Sequence, residues 1–181
     1  KKNQIKTDPD HILITSGSQQ GLDYSARVFL DEGDVVLMES PSYLGAINAF
    51  KCCEPKFVEV PTDEGGMIME ELEKAGITGY VGKVNMDRSM VDYLSETTEE
   101  SKAETLRWLE ESKRFTNIRP MITPRFTPSC TDELMYFLGN LVKKYDLPVQ
   151  SHLSENDAEI ETVLTLCPDC DAYWESYAKR G

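Results

Sequence analysis

Apolar residues recur along this chain in two alternating rhythms. Short unbroken runs give way to stretches in which they return at every third or fourth position. HILIT (11–15), DVVLMES (34–40) and KFVEVP (56–61) read as buried strands. Between them, Gln19 to Leu30 places Leu22, Ala26, Phe29 and Leu30 on one helical face, and Ser42 to Cys53 predicts a second helix. Ser16-Gly17-Ser18, Asp31 to Asp34 and the turn-rich Thr62 to Gly66 punctuate the series, and MIMEELEKAG adds a short helix. A second series follows: strand YVGKVNMD (80–87), helix Thr98 to Phe115, strand RPMITPRF (119–126), helix Thr131 to Tyr145, strand LPVQSH (147–152) and helix Asn156 to Leu166. Leu106, Trp108 and Leu109 are the expected buried residues of the first of these helices, with Thr97 or Thr98 as its N-cap. Ile160, Val163 and Leu164 form the stripe of the last, and AYWESYAKRG predicts a final aromatic-rich helix.

Strand–helix alternation of this regularity predicts an α/β fold with a mainly parallel sheet and right-handed crossovers. The weakest-structured stretch, Pro61 to Gly79, is the natural place for a seam, giving residues 1–73 and 74–181 as two elements that share one domain or form two subdomains. Exposed sheet edges in the second arrangement would invite self-association.

The 181 residues carry a formal net charge of −13. Seven basic and 14 acidic residues precede Gly76, and 12 and 18 follow from it, so neither part hides a basic module. Nucleic acid and membrane surfaces, which call for a basic face, are therefore not expected partners. No apolar run approaches the roughly 20 residues that span a bilayer. The start, KKNQIKTDPD, has no apolar core of the kind a signal peptide needs, and its lack of Met predicts a start inside a longer chain or after a removed segment. Five cysteines without framework spacing point to reduced thiols and a cytoplasmic setting. Cys167-Pro168-Asp169-Cys170 reads as a free-thiol loop, and Cys52-Cys53 as packing at a helix end.

Ligands of parallel α/β sheets bind beyond the carboxyl ends of the strands. Ser16 to Gln19 after the first run would present N–H groups and a helix dipole to a phosphate, or serve simply as turn and N-cap. Glu39 to Tyr43 follows the second run. In the second series come Asp87, then Arg125-Phe126, then His152 with Glu155. An imidazole beside a carboxylate can form a metal ligand and an acid–base group. A guanidinium beside an aromatic ring suits a flat heterocycle with carbonyl and ring-nitrogen acceptors. Taken singly, His152 also reads as a hydrogen-bonded structural histidine and Arg125 as the partner of a nearby acid.

GSQQGLD, the D-E-G-D-V-V turn and E-S-P-S-Y-L-G-A resemble the large domain of fold-type I pyridoxal-phosphate aminotransferases of the 2-aminoadipate and aromatic group, over residues 5–72. The resemblance implies phosphate contacts from Ser18 and Gln19 and ring stacking by Tyr43. The Schiff-base lysine, the aspartate for the pyridine nitrogen and the carboxylate-binding arginine of that family fall beyond the matching stretch.

From about Lys74 to Gly181 the chain resembles an internal piece of the guanine deaminases, zinc amidohydrolases on a (β/α)8 barrel. YVGKVNMDR, TEESKAETLRWLEE, ITPRFTPSCTDELM and LPVQSHLSEN carry the likeness. It implies that His152 ligates zinc, that Glu155 moves the proton between zinc-bound water and purine, and that Arg125 and Phe126 hold the guanine ring. The family's upstream His-x-His pair, later histidine and final aspartate have no counterpart, His11 being the other histidine present. Ser89-Met90-Val91 stands where that pattern has Asn-Ser-Pro. Together the two resemblances predict a chimera, recombinant or designed in preference to a natural gene fusion because both pieces are cut inside their parent domains, structural rather than catalytic, and joined between about Glu70 and Gly76. An incomplete zinc deaminase and a pyridoxal-phosphate or phosphate binder are the alternatives, with a purine or a phosphate as ligand.

Overall fold

The computed structural model of the chain describes residues 8, 10, 12–63, 66–88 and 96–180. His11 and Ser89-Met90-Val91, both singled out above, lie outside them. The described residues divide into two units, one running up to Gly76 and one from Ile77 onward.

In the smaller unit the order is α1 (Ser18–Phe29), β1 (Val35–Met38), α2 (Leu44–Phe50), β2 (Lys56–Glu59), β3 (Thr62–Asp63), β4 (Gly66–Met67) and α3 (Met69–Lys74). Strands β1 and β2 pair in parallel with Val36 opposite Phe57, as a helical crossover requires. The stretch read as a turn is a short antiparallel pair, β3 with β4. HILIT is not a strand in its described part. Ile12, Leu13 and Ile14 are 54, 74 and 88% exposed and lie in no strand. An unbroken apolar run forms a buried strand only where neighbours cover both of its faces, and no described residue pairs with this one. Ala26, Ala49, Val60 and Leu72 are the buried apolar residues here.

The larger unit contains β5 (Gly79–Val81), β6 (Val84–Asn85), α4 (Thr98–Glu111), β7 (Ile118–Pro120), β8 (Thr123–Pro124), α5 (Asp132–Tyr145), α6 (Asp157–Leu166) and α7 (Glu175–Ala178). β5 pairs with β7 and β6 with β8, both in parallel, and Ile122 bridges in parallel to Val149. The breaks at Gly82 and Met121 divide the pairing into two short parallel pairs, and LPVQSH, expected as a third strand, runs beside them with the single bridge at Val149. Gly82 is needed at its break, because a Cβ there would lie 2.0 Å from Thr123 Oγ1 and 2.9 Å from the Met121 carbonyl oxygen.

Both long helices start on side-chain caps. Thr97 and Glu100 form a reciprocal capping box on α4, and Thr131 Oγ1 accepts the Leu134 N–H on α5. Helix α4 does not bury Leu106, which is 45% exposed. Its buried residues are Ser101 and Thr105. Asn85, fully buried, donates to Ser101 Oγ at 2.8 Å and to Thr105 Oγ1 at 2.7 Å, which turns a polar face inward. Helix α5 supplies the core with Leu134, Met135, Leu138 and Leu141, packed on Ile122 and Cys130. Val163 of α6 packs with Cys167, Cys170 and Tyr173. Among the described residues no helix is long and apolar enough to cross a membrane.

Candidate functional site

Parallel pairing brings the carboxyl ends of three consecutive strands side by side, and the candidate residues of the larger unit sit there. The Arg125 N–H donates to the Asn85 carbonyl at 3.1 Å, and the His152 N–H donates to the Arg125 carbonyl at 3.1 Å. One carbonyl then serves twice, because His152 Nδ1 lies 2.8 Å from the same Arg125 oxygen. A ring nitrogen facing a carbonyl carries the proton, which leaves Nε2 as the ring's acceptor. The Phe126 and His152 rings meet edge to face at 6.3 Å, and the Arg125 guanidinium lies 5.2 Å from the Phe126 ring centre. Arg125, Phe126 and His152 are thus held together by the ladder itself.

Two residues missed by the sequence reading support this arrangement. Tyr177 donates its hydroxyl to the His152 carbonyl at 2.7 Å, and Ser151 Oγ stands 2.7 Å from that hydroxyl while donating to the Pro124 carbonyl at 2.7 Å. Ser151 was legible as the strand-end residue before His152. Tyr177 lies on α7, inside the aromatic-rich helix that the sequence predicts, but nothing in that pattern ties it to His152. Glu155 is exposed three residues beyond His152, next to Asn156, whose side chain caps α6 by accepting the Glu159 N–H at 2.9 Å.

Asp87 has a structural task. Its carboxylate accepts from Thr98 Oγ1 at 2.7 Å, Thr131 Oγ1 at 2.6 Å and the Thr131 N–H at 2.7 Å. A cavity of about 360 Å³ runs past His152, Ser151 and Tyr177. Ile122, Met135 and Leu138, which wall it, belong to the core between strands and α5, so it opens on the helix side of the ladder.

Whether these residues fit a zinc ion follows from the donor set. Among the described residues no three His, Cys, Asp or Glu side chains come together. A catalytic zinc takes three protein ligands and one open position, so His152 with the described carboxylates does not make up such a site.

The smaller unit gathers Gln19 and Tyr43 around Gly45. Gln19 donates its amide to the Gly45 carbonyl at 2.8 Å, and a Cβ on Gly45 would lie 2.5 Å from the Tyr43 ring and 2.7 Å from Gln19 Oε1. Ser18 opens α1 after Gly17, whose φ of 126° only glycine adopts readily. Gln20 and Ser16 add local bonds, the Ser16 N–H donating to Gln20 Oε1 at 2.7 Å. The Gln19 amide is committed to a backbone carbonyl and Tyr43 is 67% exposed over a loop. This trio therefore does not fit pyridoxal phosphate as a held cofactor.

Two family models match the chain: Amidohydrolase family over residues 59–171, and Aminotransferase class I and II over residues 1–77. Mouse (Mus musculus) guanine deaminase is 44% identical over 128 residues, covering 69% of this chain and 28% of that enzyme. The 2-aminoadipate transaminase of Thermus thermophilus is 53% identical over 70 residues, 39% of this chain and 18% of that protein. The crystal structure of guanine deaminase from C. acetobutylicum, with guanine bound in its active site, aligns with a TM-score of 0.62 at 44% identity, covering 69% of this chain and 31% of that one. The chain thus spans less than a third of the length of these relatives, and its two likenesses fall on different segments.

Proposed function

Because the chain belongs to the amidohydrolase family, we propose that residues 77–181 are the purine-gripping part of a guanine deaminase site. They are joined to a piece of aminotransferase fold in a chimera without complete activity of its own. The shared Arg125 carbonyl carries this reading, because its two bonds to His152 hold the Arg125-Phe126 pair beside an imidazole with an open Nε2. A guanidinium fork matches the O6 and N7 acceptors of guanine, a pairing that contributes about 1–3 kcal/mol. Phe126 adds an aromatic face for the ring. A grip of that strength gives a Kd on the order of 1 mM or weaker. Glu155 is the carboxylate available for proton transfer near the bound ring. The two histidines of the sequence, His11 and His152, leave the remaining ligands of an activated water to be supplied from elsewhere. The overlap of the two family matches at residues 59–77, next to the unit boundary at Gly76, supports a join there.

Saturation-transfer NMR with guanine tests the grip. The parent protein transfers saturation to guanine, and Arg125→Ala and Phe126→Ala lose it while Ser18→Ala keeps it. Folded protein that leaves guanine untouched would sink the purine reading. Guanine turnover by zinc-supplemented protein, lost in Glu155→Gln, would sink the claim that activity is incomplete.

A further inference from the structure

The structure sorts the five cysteines into two classes. Cys130, Cys167 and Cys170 are buried, whereas Cys52 is exposed and Cys53 is half-buried. The sequence pattern read the adjacent pair as packing, and its exposure corrects that. Both belong to the tight 3-10 turn Lys51–Cys53 that ends α2, closed by Glu54 at a φ of 51°. Successive side chains on a regular helix diverge by about 100°. Here the two sulfurs lie 3.8 Å apart. Cys52 donates its S–H to the Ala49 carbonyl at 2.9 Å and stands 4.0 Å from Asp23 Oδ1, which is itself paired with Arg27. Two thiolates bound at about 2.3 Å to one tetrahedral centre are about 3.8 Å apart, and a pyramidal arsenic(III) with its narrower angles draws two sulfurs a few tenths of an ångström closer. The pair is therefore already at chelating distance, in the open, without a disulfide.

We propose that Cys52 and Cys53 form a dithiol capture site for a soft trivalent metalloid, and specifically for a monosubstituted arsenic(III) compound. Thiolate sulfur selects soft centres. An arsenic bearing one carbon group has two exchangeable valences, so two sulfurs saturate it and no third protein ligand is needed, in keeping with the donors present. The exchange balances without any redox partner: two As–O bonds of the monosubstituted arsonous acid, R–As(OH)2, break and two As–S bonds form. Both thiol protons leave with the hydroxyls as two waters, and arsenic stays trivalent throughout. The thiol of Cys53 is held above its ordinary pKa by loss of solvent and by its contact with Cys52, so Cys53 stays a thiol until arsenic exchanges with it.

The test is intact-mass spectrometry of the full chain with one equivalent of phenylarsine oxide. One phenylarsenic adduct per chain is expected, resistant to 2-mercaptoethanol and removed by ethanedithiol. Cys52→Ser and Cys53→Ser, each checked by circular dichroism for an unchanged fold, should each lower occupancy at least tenfold. Cys167→Ser should leave it unchanged. An adduct that survives both serine substitutions, one that disappears in Cys167→Ser, or the absence of any adduct on the folded parent would each overturn the proposal.

Discussion

Removing the Asp87 carboxylate is expected to loosen two helices at once. It sits just past β6 and collects three donors: the Thr98 hydroxyl in the first turn of α4, and the Thr131 hydroxyl and N–H at the cap of α5. In Asp87→Ala the two hydroxyls can turn to water, but the Thr131 N–H is left without its acceptor, which costs about 1–3 kcal/mol. Loss of a negative charge from two helix N-termini adds about 0.3–1 kcal/mol for each. The expected total is about 3 kcal/mol. Asp87→Asn keeps an acceptor in place and loses mainly the charge, so about 1 kcal/mol is expected. Trp108 and Trp174 both lie in the larger unit, so their fluorescence during urea unfolding reports on that unit. With a slope of about 2 kcal/mol/M, Asp87→Ala lowers the midpoint by about 1.5 M and Asp87→Asn by about 0.5 M. An alanine variant within about 0.5 kcal/mol of the parent, well inside the range of ordinary surface substitutions, would refute the reasoning. So would alanine and asparagine variants that cost the same.

Gly82→Ala should cost about 3 kcal/mol by the same assay, since its Cβ would strike the Met121 carbonyl as well as Thr123 Oγ1. Thr123→Ala in the same chain should restore only part of this, because the backbone oxygen stays. The Glu100 carboxylate accepts from the Thr97 N–H and hydroxyl, which holds its pKa below the ordinary value. A depressed carboxylate contributes stability that is present above the unfolded value of about 4.3 and is lost as pH falls through the folded one. Unfolding midpoints measured across acid pH should therefore fall less steeply below about pH 4.3 in Glu100→Gln than in the parent, and identical slopes would count against the cap. Burial pushes the Cys130 thiol up to about 11, so at pH 8 iodoacetamide should label Cys52 in the native protein and leave Cys130 unlabelled until urea is added. Equal labelling of the two in peptide maps would contradict this.

The pattern of apolar positions located most helices to within a residue or two; α5 buries Leu134, Met135, Leu138 and Leu141, while of the expected α6 stripe Val163 is buried and Ile160 and Leu164 are half-buried. It failed where burial is polar or conditional. Helix α4 turns Ser101 and Thr105 inward because a buried asparagine 16 and 20 residues earlier needs acceptors, and a hydroxyl face gives no apolar signal. HILIT failed for the opposite reason: its composition meets the requirement for a buried strand, but the neighbours that would bury it are not among the described residues. Cys52 and Cys53 were read as packing, but the turn that ends α2 leaves Cys52 exposed and Cys53 half-buried, and which way a helix end faces is not written in residue type.

The candidate purine site was legible for a reason that also bounds what it can do. In a parallel ladder each strand hands its last carbonyl to the next strand, so Asn85, Arg125 and His152 are set in line by backbone bonds alone. Such bonds need only adjacent strands, so a segment with three strands is enough to position a guanidinium, a ring and an imidazole. Activating water asks for more, because its ligands must converge from several strands at once. On the proposed reading, recognition is thus local to the segment and chemistry is not. The grip on guanine should therefore depend on Tyr177, whose hydroxyl pins the His152 carbonyl. Tyr177→Phe is expected to weaken guanine saturation transfer several-fold while leaving the free energy of urea unfolding within about 1 kcal/mol, the usual worth of one such bond. Equal transfer from both proteins would mean that the ladder alone sets the imidazole.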